Sequence, residues 1–262
     1  MKQDRRSSRI ITYLSACSLL IALAVSCQTR QEDRPNSLIN SGKQFGCPTA
    51  ERAPKHKTID YEHSILVSIT ADTKVFVGRD PVAQEGFGQK VKAALATDPR
   101  ATVFLRIDQL AKYDIVATVV DMAFESGADR VFFVVDQAAA REPDAPGFDY
   151  SVPVRRCEPR DSFVVTLKQG KNDSLEVTIN NRGFPSISEL VAILPDLMSP
   201  RPPSNRHIFL KPANDVYYRD VIAVLDGAAG SGMEYFSLWT PESSKLFPDV
   251  RPKRQQSWVP IP

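Results

Sequence analysis

The sequence contains few residues whose types and spacing suit catalysis or metal binding. None of its three histidines, His56, His63 and His207, stands in the H-E-x-x-H pattern that puts two ligands on one helix face. Gly230-Ser231-Gly232 lacks the spacing of a G-x-S-x-G nucleophile elbow. No Gly-Lys-Ser/Thr follows the glycines of 227–232, so a phosphate loop is not indicated. We therefore predict no catalytic residue, no cofactor site and no metal site.

Two polar residue types recur at equivalent places and are the remaining candidates. Asp121 and Asp226 lie one step off the apolar face of predicted helices, which indicates carboxylates that are solvated or cap a neighbouring segment. General acid–base work would need a second titratable group in reach of each. Tyr113 and Tyr218 begin those helices and are predicted as core aromatics with exposed hydroxyls.

These pairs belong to an internal repeat, because residues 103–135 and 208–240 align without a gap at an offset of 105 positions. An internal repeat affects the whole fold prediction and so is considered before the single elements. The identical pairs are Phe104/Phe209, Leu105/Leu210, Tyr113/Tyr218, Val116/Val221, Val119/Val224, Asp121/Asp226, Ala123/Ala228, Ser126/Ser231 and Gly127/Gly232.

Hydrophobic periodicity predicts the same order, β-β-α-β-α-β, in both halves. The fold class is therefore α+β: two tandem small domains, each with a mixed sheet and helices on one face. We expect a signal or anchor over 1–27, a tether over 28–61, the first domain over 62–136, a linker over 137–160, the second domain over 161–240 and a Pro-rich tail over 241–262. "First half" and "second half" below mean 62–136 and 161–240.

Glycine and proline predict where these elements end. Gly78-Arg79-Asp80-Pro81 should end the first hairpin, and Pro195 should kink or end the helix that contains it. Gly127 suits the left-handed position after a helix, and Ser186 or Ser188 suits an N-cap.

The N-terminus resembles an export signal. A basic stretch through Arg9 precedes Ile10–Ser26, which carries no charge, and Cys27 follows Ala24-Val25-Ser26. Small residues before a cysteine resemble a lipobox, which makes Cys27 the predicted lipidation site. At 17 residues the apolar stretch is also near the lower limit for a membrane-spanning helix, so an uncleaved anchor and simple secretion remain alternatives. All three place the rest of the chain outside the cytoplasm.

Two further cysteines, Cys47 and Cys157, each precede one half of the repeat. An export compartment permits a disulfide between them, and the alternative is two unpaired thiols in the segments between domains. Neither cysteine belongs to a C-x-x-C pair, so a zinc or redox site is not indicated.

The repeated pattern resembles the periplasmic domain of the ExbD/TolR biopolymer transport family. The residues that carry the resemblance are 103–108, Tyr113, Val116, Val119, Asp121, Ala123, Gly127 and 131–135. The resemblance implies the cell envelope of a Gram-negative-type bacterium, with the domains in the periplasm. It implies ExbB/TolQ-like channel proteins and TonB/TolA-like proteins or peptidoglycan as partners. The family's membrane aspartate has no counterpart, since Ile10–Ser26 contains no acidic residue.

Two functions compete at this point. The first is a non-enzymatic envelope protein whose paired domains bind a partner protein, peptidoglycan or each other. Binding of the domains to each other could also join two chains into a homodimer. The second is an exported ligand-binding protein or enzyme with a site between the two domains, where pockets are favoured. Basic and acidic residues number 33 and 31, and no basic stripe is visible, which argues against nucleic-acid binding.

Overall fold

The first half, joined by one short strand from each of its flanking segments, forms a mixed sheet with helices packed on one face. A computed structural model describes residues 46–56, 63–137, 145–151, 163–171 and 174–246. The strands are β1 (Lys55–His56), β2 (Ser64–Ile69), β3 (Val75–Val77), β4 (Asp80–Val82), β5 (Thr102–Ile107), β6 (Arg130–Val134) and β7 (Ala145–Ser151), and the helices are α1 (Gln84–Thr97) and α2 (Tyr113–Glu125). The order across this sheet is β1-β7-β6-β5-β2-β3-β4.

The second half repeats this order. Its strands are β8 (Phe163–Gln169), β9 (Leu175–Ile179), β10 (Arg182–Phe184), β11 (His207–Pro212) and β12 (Tyr235–Leu238), and its helices are α3 (Ile187–Met198) and α4 (Tyr218–Gly230). The sheet order is β10-β9-β8-β11-β12, which equals β4-β3-β2-β5-β6 of the first half taken strand for strand. A short helix, α5 (Pro241–Leu246), follows β12.

Alternation along the strands explains the one-sided helix layer. In β5, Val103, Leu105 and Ile107 are fully buried and belong to the core that the helices cover. β2, β5 and β6 run parallel, so helices must connect them, whereas β2 and β3 form an antiparallel hairpin. The predicted α+β fold class with two mixed sheets is therefore confirmed.

Both halves contain a third short strand that the sequence did not predict. Asp80–Val82, expected to lie outside the hairpin, pairs antiparallel with β3. Arg182–Phe184 pairs with β9 in the same way. Pro81 is tolerated because β4 is the edge of its sheet, where a missing N–H leaves no neighbouring strand unpaired.

The prediction that Pro195 ends or kinks its helix early was wrong about the end, because α3 continues through Met198. Leu194 and Met198 are fully buried, and their packing outweighs the one backbone hydrogen bond that a proline removes. Ser186 caps this helix by accepting from the Glu189 N–H at 3.2 Å, as predicted. Gly127 has φ 101°, the predicted left-handed position, and Gly232 repeats it at φ 79°.

Segments predicted as connections contribute structure of their own. β7 lies within the expected linker and pairs antiparallel with β6. Part of the expected tether packs against the first half, with Cys47, Ala50 and Ala53 buried. The described residues from Gly46 onward belong to a single compact unit.

Candidate functional site between the two halves

The halves meet through the loops that lead into α2 and α4. The Tyr113 N–H donates to the Val216 carbonyl at 2.9 Å, and the Tyr218 N–H donates to the Ala111 carbonyl at 2.8 Å. Tyr113 and Tyr218 are equivalent in the repeat, as are Ala111 and Val216. The two hydrogen bonds are therefore related by a local two-fold axis, as in the interface of a symmetric dimer.

A second reciprocal pair extends this bridge. The Asp114 N–H donates to the Asn214 carbonyl at 3.2 Å, and the Arg219 N–H donates to the Gln109 carbonyl at 3.1 Å. Both pairs again differ by 105 positions in each member. The two halves thus form an internal pseudo-dimer held by backbone groups.

The local axis passes between equivalent residues. Lys112 and Tyr217 form an antiparallel bridge, and the Lys112 Nζ lies 3.4 Å from the centre of the Tyr217 ring. The same Nζ donates to the Asp215 carbonyl at 2.7 Å. This lysine is therefore fixed over an aromatic face, an attraction that adds to the backbone bridge.

On one side of the axis, residues 46–53 of the expected tether fill a groove. The Gly46 carbonyl accepts from the Gln109 N–H at 2.7 Å. Asp136, after the end of β6, donates its N–H to the Pro48 carbonyl at 3.0 Å and accepts from the Ala50 N–H at 2.9 Å. Thr49 and Asp136 form an isolated parallel bridge, so the segment lies beside the end of β6 as a neighbouring strand would.

The same segment then crosses α4. The Arg52 N–H donates to Asp226 Oδ1 at 2.6 Å, and Arg52 Nη1 lies 3.6 Å from Asp226 Oδ2. A Cβ at Gly230 would lie 2.2 Å from Arg52 Cδ. The arginine side chain therefore crosses α4 at a glycine, where the helix has no side chain. Asp226 holds the segment on the helix, as a capping-type carboxylate.

On the other side of the axis, α5 occupies the corresponding place on α2. Asp121, the equivalent of Asp226, accepts from the Glu242 N–H at 2.8 Å. Burial raises the pKa of the Asp121 carboxyl, and hydrogen bonds from Thr240 and Glu242 act against that shift. The two aspartates are thus used alike, each to hold a crossing segment, and the predicted capping role agrees with their contacts.

A cleft of about 250 Å³ remains beside α5. Tyr113 forms part of its wall and donates its hydroxyl to the Trp239 carbonyl at 2.8 Å. Trp239 is itself placed by Phe209, with ring centres 5.6 Å apart, and by Lys211 Nζ at 4.0 Å from its ring. The lining comes from both halves: Tyr113, Asp114, Ala117, Thr118, Pro212, Asn214, Trp239, Thr240, Pro241 and Ser244.

The two repeated tyrosines differ in the partner of their hydroxyl. Both side chains are buried, so the prediction of exposed hydroxyls was wrong. The Tyr113 hydroxyl has the Trp239 carbonyl, whereas the Tyr218 hydroxyl has no hydrogen-bond partner among the described residues. Burial raises the pKa of Tyr218, and Cys47, on the segment that fills the groove, adds to that shift.

The described part of the chain brings no other predicted site residue into the cleft. His63 lies on the surface and pairs with Asp98. His207 is buried, its Nε2 is 3.0 Å from Ser237 Oγ, and burial lowers its pKa to about 4. Across the described ranges, no three of the residue types that bind metals cluster together.

The predicted cysteine modifications stay predictions. Cys47 is a buried free thiol whose pKa is raised by burial. Cys27 and Cys157 lie outside the described residues, as does the apolar stretch Ile10–Ser26. Among the helices that the structure does describe, none combines the length and the apolar character needed to span a bilayer.

Comparison with known proteins shows a similarity that covers the first half. The family model described as Biopolymer transport protein ExbD/TolR matches residues 19–138. This part of the chain is similar to the ExbD/TolR family. The biopolymer transport proteins ExbD of Escherichia coli (strain K12), Escherichia coli O157:H7 and Shigella flexneri are each 27% identical to this chain over 78 residues, 30% of its length. The chain spans about half the length, 55%, of these curated relatives.

The ExbD/TolR match covers β1 to β6, both helices of the first half and the segment that fills the groove, and it ends before β7. Sequence reasoning found the tyrosines and aspartates of this interface through the repeat. It missed Trp239, Asn214 and Thr118, which come to line one cleft only after folding. The offset of 105 positions was a signal for Asn214 alone, because Asn214 corresponds to Gln109, which contacts residues 46–53.

Proposed function

We propose that the chain is a non-enzymatic accessory or binding component of a biopolymer transport system in the cell envelope. The match of residues 19–138 to the ExbD/TolR family carries this proposal. The unmatched second half has the same strand order and shares the repeat, which supports its interpretation as a second, tandem copy of the same domain.

The reciprocal hydrogen bonds between the halves support a single-chain pair. A homodimer was one expectation from sequence, and we propose that the equivalent pairing is made within one chain instead. The surfaces around Tyr113 and Tyr218, which a two-fold dimer would use, face each other inside this molecule. One chain would then present to its partners what two separate domains would otherwise assemble.

We further propose that residues 1–27 anchor the chain in the membrane and that both domains lie in the periplasm. The basic stretch followed by the uncharged stretch Ile10–Ser26 supports an anchor, either as a lipid on Cys27 or as an uncleaved helix. ExbB/TolQ-like channels, TonB/TolA-like proteins or peptidoglycan are the partners that the family suggests. Because Ile10–Ser26 has no carboxylate, the proton-carrying step would belong to another protein.

The alternative of an enzyme between the domains finds less support in the cleft. Its lining contains one carboxylate, Asp114, whereas general acid–base catalysis usually needs a second titratable group nearby. The volume of about 250 Å³ also falls below the range of about 300–1,000 Å³ that is usual for small-molecule sites. The size and the lining of the cleft fit a surface that binds a protein segment better than they fit an enzyme's active site.

Two measurements on the membrane-derived chain test this proposal. Intact-mass spectrometry should give either a chain that begins at Cys27 with added acyl mass or an uncleaved chain that begins at Met1. Protease added to spheroplasts should digest the domains while cytoplasmic markers survive. A soluble chain without an anchor, or domains protected from protease, would overturn the assignment to the periplasm.

A further inference from the structure

We propose that the cleft beside α5 binds an extended peptide segment of a partner protein, in the way that residues 46–50 lie in the groove across the local two-fold axis. This inference rests on the proposed role as a binding component and assigns that role to one surface. One side of the pseudo-dimer has its groove filled by the chain itself, and the other side keeps an open cleft.

The groove and the cleft are built from equivalent positions. Residues 46–50 contact Gln109 and Asp136 through backbone hydrogen bonds, and Cys47 lies close enough to Tyr218 to shift its pKa. In the repeat, Gln109, Asp136 and Tyr218 correspond to Asn214, Pro241 and Tyr113. All three of these equivalents line the cleft. The cleft is therefore the counterpart of a site that the molecule already shows occupied by an extended chain.

The differences between the two sides set the chemistry of the occupant. Pro241 has no N–H, so the donor that Asp136 offers to the Pro48 carbonyl is lost on the cleft side. Asp114 and Thr118 replace Arg219 and Ala223, which makes the cleft side acidic and richer in hydrogen-bonding groups. We expect a segment of small residues and proline, with a basic residue near the Asp114 carboxylate.

The far end of the cleft limits the length of this segment. On the filled side, the chain continues from Ala50 to Arg52, which binds Asp226. On the cleft side the equivalent Asp121 already binds Glu242 of α5, so the path is closed there. The occupant should make contact over about as many residues as 46–50 and then leave the surface.

A partner segment explains the cleft better than the chain's own tail. The parallel bridge between Thr49 and Asp136 sets the direction of the filled strand, from Gln109 toward Asp136. On the cleft side that direction runs from Asn214 toward Pro241, where α5 begins. Residues 247–262 follow α5 and would have to turn back past it to enter the cleft in that direction.

Fluorescence of Trp239 tests the proposal on the full-length chain in detergent. The variant Trp258→Phe leaves Trp239 as the only tryptophan. The probe is a synthetic peptide with the sequence of residues 45–53 and serine in place of Cys47. We expect a saturable change in Trp239 fluorescence with a Kd of about 1 mM or lower, the range of a short, weakly held segment.

Equivalent substitutions provide the matched control. Thr118→Arg should weaken peptide binding at least tenfold by filling the cleft, whereas Ala223→Arg, at the equivalent exposed position of α4, should leave it within twofold. Ser244→Arg on the opposite wall should repeat the loss, which keeps the test decisive if Thr118→Arg does not fold.

Three outcomes would overturn the proposal. They are no saturable signal at peptide concentrations of several millimolar, equal weakening by Thr118→Arg and Ala223→Arg, and binding that is seen only after residues 247–262 are removed. The last result would assign the cleft to the chain's own tail. A chain that is anchored and periplasmic but does not bind the peptide would contradict this inference and leave the proposed function intact.

Discussion

At the scale of single residues, the repeat places identical side chains in different surroundings. Tyr113 and Tyr218 are both buried and both begin a helix, yet only the Tyr113 hydroxyl meets a carbonyl among the described residues. A buried polar group without a partner costs free energy, whereas a satisfied one contributes modestly. Equivalent substitutions at the two positions should therefore have different effects.

We predict that Tyr113→Phe lowers the free energy of unfolding by about 1 kcal/mol, because the hydrogen bond to the Trp239 carbonyl is lost. Tyr218→Phe should leave that free energy unchanged or raise it by up to about 1 kcal/mol, because a desolvated hydroxyl is removed. Urea unfolding at pH 7 compares the two variants directly. Equal destabilisation by both would mean that the Tyr218 hydroxyl is satisfied, for instance by a buried water.

His207 gives a pH dependence of known sign. Burial lowers its pKa from 6.5 to about 4, so the unfolded chain binds more protons than the folded one between these values. The free energy of unfolding therefore has its full value, as far as His207 is concerned, above pH 6.5, and it decreases as the pH falls toward 4. The loss amounts to about 3 kcal/mol.

The variant His207→Gln tests this, because the difference in stability between it and the parent chain should change across pH 6.5 to 4. Comparing the two removes the opposing effect of Asp121, Asp136 and Asp220, whose pKa values are raised by burial. His63→Gln, at an exposed histidine that pairs with Asp98, is the control and should not reproduce the change that His207→Gln causes toward pH 4. A pH-independent difference for His207→Gln would refute the assignment.

At the scale of elements, close approach between helices explains one glycine of α4. A Cβ at Gly227 would lie 2.1 Å from Cγ2 of Val191 on α3. The two helices can pack at this distance only because one of them has no side chain there. The equivalent position of α2 is Met122, so the first half spaces its helices differently.

Gly227→Ala should therefore lower the free energy of unfolding by about 1–3 kcal/mol through overpacking. Val191→Ala in the same chain should recover most of that loss, since it removes the methyl groups that the new Cβ would meet. Gly183→Ala, where a Cβ meets nothing within 4 Å, should change stability by less than about 0.5 kcal/mol. Failure of Val191→Ala to rescue would show that the cost has another origin.

At the scale of the whole molecule, the halves share both backbone and side-chain contacts. Besides the reciprocal hydrogen bonds, Phe236 of β12 lies 6.4 Å from Phe133 and 6.2 Å from Phe148, measured between ring centres. Tyr218 lies 6.4 Å from Phe133 in the same measure. The aromatic residues of one half therefore complete the core of the other.

Because of this shared core, we predict a single cooperative unfolding transition for the two halves. Gly227→Ala in the second half should reduce hydrogen-exchange protection at Leu105 in the first half by the same free energy as in its own half. Amide exchange followed residue by residue makes this comparison. Unchanged protection at Leu105, or two separate transitions, would show that the halves unfold independently.

Local pattern in the sequence determined the element order, the sheet-and-helix class, the capping glycines and the ExbD/TolR resemblance. These features follow from periodicity, turn residues and a constant offset between equivalent positions, all of which are visible along the chain. The short strands β4 and β10 were not predicted, because three residues carry too little periodicity. The helix α3 continues beyond Pro195, because the burial of Met198 outweighs the helix-breaking tendency of proline.

Only the tertiary structure decided how the halves meet and which groove stays open. Backbone hydrogen bonds between residues about 105 positions apart have no side-chain signature, so their reciprocity is invisible in the sequence. The asymmetry has the same origin. The sequence predicted a tether for residues 46–53 and a tail for α5. Each becomes part of the site only because a distant helix holds it: Asp226 binds the first segment and Asp121 binds the second.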